Sequence, residues 1–109
     1  MIEKTVRDYL LTVLSVPVYT DRPANPPVDR VVIERVGGSA ENLARHARIA
    51  IQSYGGTRLA AGTLHEQVLA AMPNIGTVDG GVYLDSEYDY TDTTTKVYRY
   101  QAVFDITYF

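Results

Sequence analysis

The chain has no cysteine, which rules out disulfides, thiolate nucleophiles and thiolate metal sites and leaves the redox compartment open. It has no tryptophan, and its only histidines, His46 and His65, stand far apart in sequence. No apolar run reaches the roughly 18 residues that a membrane span needs. The start, Met1-Ile2-Glu3-Lys4-Thr5, lacks the apolar core of a signal peptide, so the expectation is folding in the cytoplasm without a membrane partner. Cations are also in deficit. Ten Lys and Arg stand against thirteen Asp and Glu, for a net charge of −3. That balance argues against a nucleic-acid binder driven by phosphate neutralisation.

Catalytic signatures are equally scarce. His65-Glu66 does not begin a His-Glu-x-x-His metal motif, because residue 69 is leucine. His65 reads as an ordinary helix-surface histidine. Ser39, Ser53 and Ser86 have no nucleophile elbow around them. The glycine pairs at 37–38, 55–56 and 80–81 lack dinucleotide or phosphate-loop spacing and read as turns. The expectation is a protein that is not an enzyme, with no catalytic residue, no cofactor and no metal site.

What is present is periodicity. At 109 residues the chain forms one domain, 1–109, since two would each have too small a core. Ile2, Val6, Tyr9, Leu10, Val13 and Leu14 recur at helical spacing and predict a helix over 2–14, stopped by Ser15 and Pro17. Val16 to Thr20 reads as an edge or entry strand interrupted by Pro17. Asp21-Arg22-Pro23-Ala24-Asn25-Pro26-Pro27 is a stiff loop, either a plain connector or a docking loop that already holds its bound shape. Val28 to Val36 is a strand that Gly37-Gly38-Ser39 is expected to end. Ser39 to Ala47 is ambiguous between a capped helical turn and strand, with strand preferred from His46 to the stop at Tyr54-Gly55-Gly56. Thr57 caps a second helix over 57–72, whose apolar face is read as Leu59, Ala60, Thr63, Leu64, Val68 and Ala71, joined by Leu69 and Met72. A strand over 81–90, the turn Thr91-Asp92-Thr93-Thr94-Thr95 and a final strand from Lys96 make a hairpin. Along that last strand Ala102, Phe104, Ile106 and Tyr108 share one face, opposite Val103, Asp105 and Thr107. Its run to the last residue predicts pairing within a sheet rather than a loose tail. The expected architecture is α+β, with two helices packed on one face of a mainly antiparallel sheet of about five strands.

The candidates for contact lie in the last hairpin. Asp85, Glu87 and Asp89 follow one another at period two, about 6.8 Å apart, which predicts one acidic strand face. An extended strand holds such carboxylates too far apart to close on a metal. An acidic row facing solvent or another subunit is the better reading, with Arg45, Arg48 or Arg58 of a neighbour as its partners. Six of the nine tyrosines fall in this hairpin, Tyr88 and Tyr90 among them. Tyrosine suits an interface because it buries apolar area and keeps a hydroxyl for the rim, although aromatics also simply pair well across strands.

Taken together, the leading helix, Val16-Pro17-Val18-Tyr19 with its proline-rich loop, Val31-Val32-Ile33-Glu34-Arg35-Val36-Gly37-Gly38, Arg48-Ile49-Ala50-Ile51-Gln52-Ser53-Tyr54-Gly55, the alanine-rich helix and Arg99-Tyr100-Gln101-Ala102-Val103-Phe104 give a pattern that covers nearly the whole chain. It resembles the tail terminator, or tail completion, proteins of long-tailed bacteriophages and prophages. The resemblance implies a structural virion protein at the head-proximal end of the tail, made and assembled in the host cytoplasm. It implies a ring of copies of the chain, a hexamer, that caps the major tail tube protein and meets the head-tail connector protein. DNA would pass through the lumen without specific binding. The polar loop at 90–96 departs from the pattern. Other classes compatible with the residues are another head-tail neck or connector component, or a non-viral small oligomeric scaffold or ligand-binding domain.

Overall fold

The computed structural model describes residues 1–41, 44–76 and 80–109, apart from the side chain of Glu41. Helix α1 spans Ile2–Val13, and its every-fourth apolar positions Ile2, Val6, Leu10 and Leu14 are the ones that bury. Tyr9 flanks that stripe, and its hydroxyl donates to the Ala71 carbonyl at 2.6 Å, which ties α1 to the second helix. Val13, expected on the apolar face, is about half exposed.

Five strands form one sheet in the order β1-β2-β3-β5-β4: β1 Val18–Tyr19, β2 Arg30–Glu41, β3 Ala44–Gly55, β4 Gly81–Asp89 and β5 Tyr98–Tyr108. Only β1 and β2 run parallel; the other pairings are antiparallel. Helix α2, Arg58–Ala71, lies on the same face as α1, and a short 3₁₀ turn over Met72–Asn74 follows it. The expected α+β fold is therefore the observed one. No helix among the described residues is long and apolar enough to cross a membrane.

Two local expectations are corrected. Gly37-Gly38-Ser39 does not end β2. A bulge between Arg35 and Gly37 absorbs the irregularity, and the ladder continues to Glu41 opposite Ala44. Both ends of the ambiguous 39–47 stretch are thus strand, while residues 42–43 lie outside the described ones. The apolar face of α2 is also rotated from the one read in sequence. Ala61, Leu64, His65, Val68 and Met72 bury, whereas Leu59 is 81% exposed and Ala60 and Thr63 face out. Leu59 comes two residues before Ala61, which puts it on roughly the opposite side of the helix from the buried stripe. The Thr57 cap is as expected, its hydroxyl accepting from the Ala60 amide at 3.0 Å.

The core sits between the helices and one sheet face. Val31 and Ile33 of β2, Ala47, Ile49 and Ile51 of β3, and Ala102, Phe104 and Ile106 of β5 point into it. The α2 start comes very close to the end of β3. A Cβ on Gly55 would lie 2.5 Å from the Ala61 nitrogen, so only glycine fits there. Helix α2 covers β3 and β5 and stops short of β4, which leaves β4 as a nine-residue edge strand with Tyr83 and Leu84 exposed.

Candidate functional site

Strand β4 positions the acidic residues, and a bulge decides where they go. The register with β5 slips between Leu84 and Ser86, so Asp85 is an extra residue in the ladder. A bulged residue leaves the strict alternation of the strand. Asp85, Glu87 and Asp89 therefore do not form one acidic face, and that expectation is overturned. Asp85 turns to the sheet face away from the helices. Glu87 and Asp89, opposite Ala102 and Tyr100, stand on the helix side.

Each carboxylate finds a partner within the chain. On the open face Arg48 of β3 bonds Asp85 across the intervening β5, and its Nε lies 3.5 Å from Asp105 of β5. On the helix side Arg58 Nε is 3.0 Å from Asp89. The Asp89 carboxyl is held below the usual carboxylate range, first by hydrogen bonds from the Thr91 hydroxyl and amide and then by Arg58. These pairs are about half exposed, so water screens them and they add little to stability. Two of the three arginines expected to reach a neighbour are thus already engaged in cis. Arg45 lies over the Tyr108 ring, 5.4 Å from its centroid.

His65 is not a surface histidine. It is 2% exposed on the inner side of α2, stacked on Tyr100 with ring centroids 5.1 Å apart. Its Nε2 is 3.2 Å from Glu87 Oε1. A carboxylate only accepts, so Nε2 is the donor. Nδ1 is buried without a partner among the described residues. The pair lines an open groove of about 540 Å³ with Arg58, Leu59, Gly62, Thr63, Glu66 and Tyr100. The only hydroxyl near the pair on α2, that of Thr63, donates to the Leu59 carbonyl at 2.9 Å. It is committed to its own helix, and the His65–Glu87 pair links α2 to β4.

The open face carries a feature that was not foreseen from the strand pattern. Tyr54 donates to Gln52 Oε1 at 3.0 Å, Gln52 donates to Gln101 Oε1 at 2.9 Å, and Gln101 donates to the Tyr88 hydroxyl. This polar ladder crosses β3, β5 and β4, and both glutamines are buried. Tyr88 meets Tyr90 edge-to-face at 5.5 Å, and Arg99 lies over the Tyr90 ring. Tyr88 and Tyr90 are both more than two-fifths exposed, so the ladder ends in a patch of aromatic surface beside β4. The sequence signal was a glutamine on the face opposite the apolar alternation of each of two strands, which registers only once the strands are known to be neighbours.

The chain matches no known protein family, and no curated protein matches it.

Proposed function

We propose that this chain is a structural virion protein that caps the phage tail tube and forms the tail-side surface for head-tail joining. The observation that carries the reading is the β4 edge. It is a long edge strand with Tyr83, Leu84 and Tyr88 on it and Tyr90 just after it in the open, which supplies a contact surface. The α+β fold fits the sequence resemblance to tail terminators. In this reading copies of the chain form a ring, six in number by that resemblance, between the major tail tube protein and the head-tail connector protein, and DNA passes through the lumen. A neck or connector component would use the same kind of surface against a different neighbour. Negative-stain imaging of the purified protein with and without tail tubes tests the proposal. Rings seated on tube ends support it, and tubes left bare at saturating protein overturn it.

A further inference from the structure

The cations look scattered in sequence, yet the fold gathers several of them. Arg22 and the prolines Pro23 and Pro26 come from the stiff loop, Arg30 and Val32 from β2, Tyr54 from β3, and Val97 and Arg99 from the end of the last hairpin. Together they enclose a pocket of about 230 Å³ on the open face of the sheet. An adjoining cleft shares Pro26, Arg30, Tyr54 and Val97 and adds Lys96. Four of the ten cationic side chains of a chain with net charge −3 thus converge on one trough.

No counter-charge closes on three of them. Among the described residues no carboxylate lies within ion-pair distance of Arg22, Arg30 or Arg99. Asp21 and Glu34 line the next cleft with Arg22 without closing on it. Asp92 accepts from the Thr94 and Thr95 amides, at 3.0 and 3.3 Å, and acts on Arg99 only as a charge beyond ion-pair distance. The arginines are held in place instead by neutral groups. Arg30 stacks 3.8 Å above the Tyr54 ring and donates Nη1 to the Pro27 carbonyl at 3.0 Å. Arg99 donates Nε to the Tyr90 carbonyl at 2.8 Å and Nη1 to the Tyr54 hydroxyl at 3.3 Å. That hydroxyl donates to Gln52, so the free polar groups of the lining side chains are donors: Nη2 of Arg99, Nε and Nη2 of Arg30, and the Arg22 guanidinium.

We propose that this trough is an oxyanion-binding site for a carboxylate or phosphate group. A donor-only, triply cationic pocket with apolar Pro and Val walls selects an acceptor-only anion, and planar guanidinium forks suit both groups. The volume admits an oxyanion on a short stem and excludes a drug-sized ligand. The prolines fix one wall in advance, so little ordering cost falls on binding. The oxyanion belongs to a small solute or to an acidic side chain of a second copy; the site itself does not depend on the tail-capping reading.

The probes are inorganic phosphate and citrate, titrated into the whole chain by calorimetry in a chloride buffer of constant ionic strength. Saturable one-site binding is expected, at least about tenfold weaker in Arg22→Gln. Arg22 is exposed and makes no bond that the fold relies on, and Arg7→Gln on α1 serves as the charge-matched control. Light scattering in parallel separates the two sources. Phosphate that dissociates a wild-type oligomer, with Arg22→Gln already dissociated, points to the neighbour's side chain; binding with no change of mass points to a solute. Absence of saturation at roughly 10 mM phosphate and citrate overturns the site, and so does binding equal in Arg22→Gln and Arg7→Gln.

Discussion

At the scale of single residues, the open-face ladder and the Gly55 contact make the firmest demands. Gln101 sits in the middle of the ladder, with a donor from Gln52 on one side and the Tyr88 hydroxyl on the other. Gln101→Ala strands the buried Gln52 amide and should cost about 1–3 kcal/mol in urea unfolding. Replacing Gln52 and Gln101 together by leucine removes both needs at once. The double variant should lose less than the sum of the two single leucine changes, with a coupling of about 0.5–3 kcal/mol in a double-mutant cycle. Additive losses would mean that the ladder is not a unit. Gly55→Ala places a Cβ against the backbone of Ala60 and Ala61, neither of which can rotate away. Chemical denaturation should show a loss on the order of 1–3 kcal/mol.

At the scale of elements, most of the fold was legible and the errors share a cause. Helix α1, the β2–β3 pairing, the Thr57 cap and the last hairpin follow from local periodicity and capping chemistry, which act within a few residues. The misread features depend on where a neighbour lies. Gly37-Gly38 looks like a stop until β3 pairs across it, and Leu59 looks like core until the position of the sheet is known. The bulge at Asp85 has no marker of its own, since no glycine or proline announces it, and it alone separates the three acidic residues. His65 likewise reads as a surface residue until β4 brings Glu87 to it. The turn of the last hairpin carries its own pH dependence. The Asp92 carboxyl is held below the usual range by hydrogen bonds from the Thr95 hydroxyl and amide and then from the Thr94 amide. Asp89 is lowered in the same way by Thr91. Lowered carboxyl values mean stabilisation that is full above the unfolded-state value and lost as pH falls through the folded one. Amide exchange at Thr91, Thr94 and Thr95 should therefore quicken relative to the rest of the sheet only below about pH 4. Asp92→Asn keeps an acceptor oxygen and should remove that dependence at Thr94 and Thr95. An unchanged acid response in that variant would assign it elsewhere.

For the whole molecule, charge and surface bear on the proposed assembly. Glu87 is an exposed acid on the helix side of β4, and Glu87→Lys reverses its charge where an approaching copy would meet it. Light scattering at low salt should report weakened assembly, whereas an unchanged mass removes Glu87 from the contact. Duplex DNA should show no sequence-dependent affinity near physiological salt in an anisotropy titration. The net charge is negative, and the cationic trough is a pocket too small to track a backbone. Sub-micromolar, sequence-dependent binding would move the function to a nucleic-acid module.

The two borders of the sheet are unlike. Strand β4 offers nine residues of edge, whereas on the other side β1 pairs only Val31 and Val32, which leaves β2 from Ile33 to Glu41 with no strand outside it among the described residues. Two copies that join by their β4 borders meet about a two-fold axis and consume both β4 borders in doing so. A β4 border set against the open stretch of β2 joins unlike surfaces instead, and such a head-to-tail contact closes into a circle or runs on as a filament according to the rotation at each step.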